Sequence, residues 1–300
     1  MKKPNFFIIG APKCGTTALS EYLKTHPNVY LSSPKEPHYF AEAEFNTPNL
    51  KTWEQYLKLF EEATDKHLAI GEASVHYLYS SIALQRIYEY NSKAKIIAMF
   101  RNPVDLVYSY HSQLVYNYDE DEKDFEKAWS LQKSRQEGFN LPKLAQNPYV
   151  FQYKSIGQLG SQVEKLLQIF PSEQVKLILF DEFKSSTATI YREVLEFLEL
   201  PDDGRVDFPR INANRKHKIA WLGIITEKTP PSLMKTAAIA KKVLGVESFG
   251  LVNKIRQTNR EEFKRKPLSS DFRAKLIEEF STEIDTLSRV LQKDLTNWKI

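Results

Sequence analysis

The sequence predicts an α/β fold, a central parallel sheet flanked by helices. Two observations carry that expectation. Short continuous apolar runs alternate with longer segments of helical periodicity, and a loop rich in glycine, proline and threonine joins the first apolar run to the first helix. An apolar run without alternation marks a strand buried on both faces, as parallel sheets require.

The elements follow in order. Residues 5–9 are the first strand, residues 10–17 the loop, and a helix from Ala18 stops near His26-Pro27, because proline cannot continue it. Residues 29–31 are a second short strand and residues 53–63 a helix. A strand over 95–100 halts at Arg101-Asn102-Pro103, and a helix over 104–116 follows with Pro103 suited to its first turn. Helix 158–170, strand 175–180 and helix 187–198 come next. Residues 271–291 close the chain as a long amphipathic helix with Leu276, Phe280, Ile284, Leu287 and Leu291 in register. Residues 117–150 read as a charged, loop-like stretch, and 219–265 as helical in composition but poorly periodic.

Composition narrows the function classes. The 300 residues are 42% hydrophobic and 27% charged, as in soluble globular proteins. One cysteine excludes a disulfide framework and a multi-cysteine zinc site. The histidines are scattered without an i, i+4 pair, so no metal site is expected. No apolar run approaches the roughly 20 residues of a membrane span, and residues 6–9 are too few for a signal-peptide core, which points to a cytoplasmic protein. The net charge of +4 hides an asymmetry: residues 210–266 hold 14 Lys/Arg against 4 Asp/Glu, a net of +10, leaving −6 elsewhere. That late segment suggests an anionic partner, but no nucleic-acid module accompanies it.

The sharpest feature is Gly10-Ala11-Pro12-Lys13-Cys14-Gly15-Thr16-Thr17-Ala18 between a strand and a helix. Backbone N–H groups at a helix N-terminus bind anions there, Gly15 permits a tight turn, and the Thr16 and Thr17 hydroxyls can donate to phosphate oxygens. Gly10 and Gly15 keep the glycine spacing of a Walker A loop, but Thr16 stands where its lysine belongs, and Lys13 is the only lysine in the loop. The 95–100 strand does not end in the aspartate that anchors Mg²⁺. A nucleotide kinase or NTPase therefore lacks the parts it needs.

Pro12-Lys13-Cys14-Gly15-Thr16-Thr17 resembles the 5′-phosphosulfate loop of sulfotransferases that use 3′-phosphoadenosine 5′-phosphosulfate (PAPS) and leave 3′-phosphoadenosine 5′-phosphate (PAP). Arg101-Asn102-Pro103, with Ser109 further on, is similar to that family's 3′-phosphate segment, and an arginine fork suits a phosphate dianion. Pro267-Leu268-Ser269, the closing helix and Asp294-Leu295-Thr296-Asn297-Trp298 look like the ending of many bacterial carbohydrate-type members. The resemblance implies a P-loop NTPase-like sulfotransferase fold and PAPS bound by Lys13, Cys14, Gly15, Thr16, Thr17, Ala18, Arg101 and Ser109 without a metal. It also implies one domain over 1–300, with an acceptor-side insertion at 117–150 and a basic helical one at 219–265. Three departures stand out. Leu106 replaces an arginine common in relatives, Glu72-Ala73-Ser74-Val75 replaces the Glu-Lys-Thr-Pro element of heparan-type members, and no Lys-Gly cofactor clamp is present. Arg215-Lys216-His217-Lys218 is the nearest basic cluster that could close over the 3′-phosphate.

The chemistry implied is an in-line displacement with charge spreading over non-bridging oxygens. Lys13 is expected to bridge the sulfate and the leaving oxygen. In Ser33-Pro34-Lys35-Glu36-Pro37-His38-Tyr39-Phe40, Glu36 matches the family's general base, with His38 the competitor because imidazole titrates nearer neutrality. Cys14 lies where a helix terminus can lower a thiol pKa, although the family chemistry needs no covalent step. Asp119, Glu120, Asp121, Glu122, Asp124 and Glu126 face only Lys123 in sequence, which disfavours a polyanionic acceptor. The expected acceptor is a hydroxyl or amine of a small polar metabolite or sugar, with a glycan or polysaccharide as the alternative. A non-catalytic anion-binding module is the alternative of another class.

Overall fold

The computed structural model describes residues 2–45, 50, 52–143, 145, 147–211, 215–219, 258–263 and 265–300. Most of the basic stretch expected to be helical, 220–257, lies outside the described residues. Strands β1 (Phe6–Gly10), β2 (Val29–Leu31), β3 (Ala69–Ala73), β4 (Lys95–Phe100) and β5 (Val175–Leu179) form one sheet in the order β2-β3-β1-β4-β5. Every pairing is parallel. All five residues of β1 are buried, as their unbroken apolar run requires. Helices α1 (Thr16–Lys24), α2 (Ala83–Tyr90), α3 (Pro103–Tyr116), α4 (Leu159–Ile169), α5 (Thr187–Phe197) and α6 (Ser270–Leu291) accompany it. On α6, Leu276, Phe280, Ile284 and Leu287 are buried as their register demands, whereas Leu291, in the last turn, is only half-buried.

Several elements differ from the sequence reading. Strand β3, Ala-Ile-Gly-Glu-Ala, has almost no β-propensity, yet it sits between β1 and β2. Gly71 is required there because a Cβ would lie 2.5 Å from the Phe6 carbonyl oxygen. Helix α2 also went unsignalled. The helix expected over 53–63 is Trp53–Leu57, started by a Thr52/Gln55 capping box, tightening into a 3₁₀ turn at Lys58–Phe60 that buries Phe60. Strand β5 stops at Leu179, and Phe180 opens the short helix Phe180–Ser185 instead.

Two compact units emerge. The first comprises Met1–Tyr110, Tyr149–Asn212 and Ser269–Ile300 and contains the whole parallel sheet. The second comprises His111–Pro148 and Ala213–Leu268. Its 117–150 part is not merely loop: Phe125–Ser130 and Gln132–Gln136 are helical. Within the acidic run one carboxylate is ion-paired and three others organise the local backbone. Glu120 makes a buried bidentate pair with Arg135, at 2.6 and 2.9 Å, and Asp124 caps the first helix by accepting from the Lys127 N–H. Asp121 and Glu122 likewise accept backbone N–H groups, of Lys143 and Asp124. In the same unit, strand Arg215–His217 pairs antiparallel with Arg260–Glu262, and His217 stacks on Tyr116 with ring centroids 4.2 Å apart. Among the described residues no helix is long and apolar enough to cross a membrane.

Candidate active site

The strand order places the switch point of the sheet between β1 and β4: the chain leaves β1 toward β2 and β3 on one side, then returns to β4 on the other. Ligands of open α/β sheets bind in the crevice at that point, beyond the strands' carboxyl ends. Both predicted anion-binding segments begin there. Gly10-to-Thr17 follows β1 and Arg101 follows β4, and the two ends are tied by the Ala11 N–H donating to the Met99 carbonyl at 2.7 Å.

The loop is shaped by its backbone. Gly15 is the N-cap of α1 with φ 91°, left-handed space that suits glycine. A Cβ there would also lie 2.9 Å from Phe180 Cδ2. The first intrahelical bond runs from the Leu19 N–H to the Gly15 carbonyl, so the N–H groups of Thr16, Thr17 and Ala18 have no intrahelical acceptor. Cys14 behaves as a small buried residue, in line with a family chemistry that needs no covalent step. Its thiol is fully buried and bonded to the Pro12 carbonyl, and burial pushes its pKa up despite the Arg101 and Lys13 charges nearby. Cys14 can therefore offer an anion only its backbone, and no thiolate. Lys13 is half-buried at φ 62°.

Phe180 joins the second segment to the first. One ring edge lies against Gly15, and the Arg101 guanidinium sits over the ring, 5.2 Å from its centroid. Asp105, one turn into α3, approaches Arg101 at 3.6 Å and Arg273 of α6 at 3.2 Å. Ser109 is a further turn along the same face and is buried. Leu106 is wholly buried in the core.

The segment after β2 is built from side chains. Glu36 and His38 both adopt left-handed backbone angles, φ 63° and 51°. Hydrogen bonds to β3 and the turn after it hold them. The Glu36 N–H donates to the Ala73 carbonyl, the His38 N–H to Ser74 Oγ, and the Phe40 N–H to the Tyr77 hydroxyl. Ser74 and Tyr77 in turn donate to the Glu72 carboxylate at 2.7 and 2.9 Å, and Tyr56 adds a third hydroxyl at 2.7 Å. Glu72 is fully buried, and burial pushes its pKa up against those three donors.

Lys35 Nζ donates to Glu36 Oε1 at 2.8 Å and to Thr17 Oγ1 at 3.2 Å. His38 Nε2 faces Glu36 Oε2 at 3.6 Å. Burial alone would raise the Glu36 pKa. The Lys35 charge and the His38 ring outweigh it and hold the carboxyl well below the usual range. His38 stacks on His76 with centroids 4.9 Å apart, and burial pushes the His76 pKa down to about 3. The Nδ1 atoms of both rings are buried and, among the described residues, have no hydrogen-bond partner.

The first unit thus holds Lys13, Cys14, Gly15, Thr16, Thr17, Ala18, Arg101, Ser109, Glu36 and His38. Arg215 and Lys216 belong to the second unit, where their backbones pair with Glu262 and Glu261. Sequence reasoning missed Lys35, Glu72 and His76. Only Lys35, beside an acid in a proline-flanked loop, left any local signal. Glu72 and His76 act through partners distant in sequence. Among the described residues, no three His, Cys, Asp or Glu side chains converge as a metal cluster.

Comparison with known proteins agrees with the geometry. The sulfotransferase domain family matches residues 3–297. Carbohydrate sulfotransferase 15 of Rattus norvegicus is 26% identical over 245 residues, covering 66% of this chain and 44% of that protein. The bifunctional heparan sulfate N-deacetylase/N-sulfotransferase 3 of Homo sapiens is 28% identical over 244 residues, covering 78% of this chain and 26% of that protein. The chain therefore spans less than half the length of these relatives. The crystal structure of a sulfotransferase from Alicyclobacillus acidocaldarius superposes over 100% of both chains with a TM-score of 0.73 at 26% identity.

Proposed function

The chain belongs to the sulfotransferase domain family, and we propose that it moves the sulfuryl group of PAPS to a hydroxyl or amine of a sugar or small polar metabolite. The observation that carries this reading is the meeting of two anion-binding segments and a carboxylate at one sheet switch point, linked through Phe180 and Lys35. The residues suit the donor. The first-turn N–H groups of α1 and Lys13 would receive the phosphosulfate, and Arg101 with Ser109 the 3′-phosphate. PAPS supplies an activated sulfuryl group. Lys13 stabilises charge on the departing phosphate oxygen, and the backbone amides fix the anion without reorganising. Because Lys35 already donates to Thr17 Oγ1, the hydroxyl hydrogen of Thr17 is left to point at an anion.

Glu36 takes the acceptor's proton, and His38 faces it from the side away from Lys35. The names of the relatives, carbohydrate and heparan sulfate sulfotransferases, favour a saccharide acceptor. Within the acidic run Glu120 is paired with Arg135, while exposed Asp121, Asp124 and Glu126 still weigh against a densely anionic glycan. Calorimetry with PAP tests the donor. Binding that persists with a chelator in place of Mg²⁺ supports the reading. Mg²⁺-dependent binding of ATP instead would point to a nucleotide kinase. A screen of neutral and sulfated oligosaccharides against small alcohols and amines, with PAPS, then ranks the acceptors.

A further inference from the structure

The Lys35 side chain reaches both halves of the site. It holds the proposed base, Glu36, at 2.8 Å and the donor loop, through Thr17 Oγ1, at 3.2 Å. This arrangement contains a conflict. A carboxylate clamped by an ammonium group is a weak base, and Glu36 lies well below the usual carboxylate range for that reason, against the effect of burial. General bases work best with a pKa nearer the operating pH. The closed pair is therefore not the form in which Glu36 takes up a proton efficiently. The ammonium has three N–H donors on a flexible stem, and its second partner lies in the first turn of α1, where a sulfuryl group would arrive. The other groups acting on Glu36 do not resolve the conflict. His38 stands at 3.6 Å and, like Lys35, favours the carboxylate. His76, stacked behind His38, is kept neutral by burial. Glu72 is occupied by three hydroxyls.

Resting on the donor reading above, we propose that Lys35 is a donor-responsive catalytic lysine: it covers Glu36 in the free enzyme and turns onto the sulfuryl oxygens beside Thr17 when PAPS is seated, leaving the Glu36 carboxylate to take the acceptor's proton. In the transfer, the acceptor oxygen or nitrogen forms a bond to sulfur. The bond from sulfur to the phosphate oxygen breaks, and its electron pair leaves with PAP. The acceptor's proton passes to Glu36 and then to water. Lys35 remains an ammonium group throughout and stabilises the charge spread over the sulfuryl oxygens.

The test compares PAPS with PAP, which lacks the sulfuryl group, by calorimetry on the full chain, together with PAP release from PAPS with water as acceptor. Lys35→Met is expected to bind PAP within about threefold of wild type, to bind PAPS at least about tenfold more weakly, and to release PAP about 10²-fold more slowly. Lys35→Arg, which keeps the charge, should recover part of the PAPS affinity. Glu36→Gln should bind PAPS more tightly, since no carboxylate then competes for Lys35. That gain should be at least about threefold larger with Lys35 present than in a Lys35→Met background. Equal losses for PAP and PAPS in Lys35→Met, or a gain from Glu36→Gln of the same size in both backgrounds, would overturn the lysine's role alone. A wild-type chain that binds neither nucleotide would overturn the donor reading, and the lysine's role with it.

Discussion

The proposed donor loop after β1 and the proposed base loop after β2 meet at Lys35, yet they are built by opposite means. The donor loop is a backbone device: a left-handed Gly15, first-turn N–H groups without intrahelical acceptors and a cysteine whose thiol only fills space. The base loop is a side-chain device: of its two left-handed non-glycine residues, His38 is held through Ser74, and the following Phe40 through Tyr77, by the buried carboxylate of Glu72. The first can be encoded in consecutive residues. The second depends on a strand more than thirty positions downstream, as the Ser74 and Tyr77 bonds to residues 38 and 40 show, with separations of 36 and 37. A backbone device tolerates changes of side chain and fails when the main chain is perturbed. A side-chain network fails when one central partner is lost.

The largest expected effect falls on the base loop. Glu36→Gln should lower turnover by about 10²–10⁴-fold while PAP still binds. Single-turnover kinetics alongside calorimetry reads the two separately, and retained turnover would move the base to His38 or elsewhere. Next is Glu72→Leu, which leaves three buried hydroxyl groups without their acceptor. At about 1–3 kcal/mol for each, a loss of at least 3 kcal/mol in unfolding free energy is expected, read by urea denaturation. A variant as stable as wild type would show that the base loop does not rest on Glu72. On the donor side, Gly15→Ala forces a left-handed alanine costing about 1–2 kcal/mol and presses on Phe180, which carries Arg101. PAP affinity should drop about tenfold or more. The smallest effect is Cys14→Ala, with PAP affinity within about twofold of wild type and a modest loss of stability from the vacated volume. Loss of activity on that change would restore a role for the thiol.

The pH dependence sharpens the same contrast. His76, behind the base loop, is pushed down to about 3 by burial, whereas an unfolded histidine titrates near 6.5. Below its unfolded pKa the unfolded chain binds the extra proton, so stability should fall as pH drops from about 6.5 toward 3. Replacing His76 with Phe should flatten the slope of melting temperature over that window.

What could be read in consecutive residues was read correctly: β1, the glycine-bearing turn into α1, β4 with Arg101 at its end, and the amphipathic face of α6. Each is specified by local rules of apolar runs, glycine and proline placement and helical period. The same rules passed over β3, because Ala-Ile-Gly-Glu-Ala carries no strand pattern and owes its place to the ring of Phe6 and the strands on either side. They left a lowered thiol pKa at Cys14 open, which only three-dimensional burial decides against. They also counted Glu120 as surface charge, although Arg135, fifteen residues away, neutralises it inside the second unit. By itself, then, the sequence determined the α/β class, the loop between β1 and α1 and the family. Tertiary structure alone decided which charges are spent, which carboxylate holds the base loop and that Lys35 spans the two loops, because desolvation and pairing depend on neighbours that chain order does not reveal.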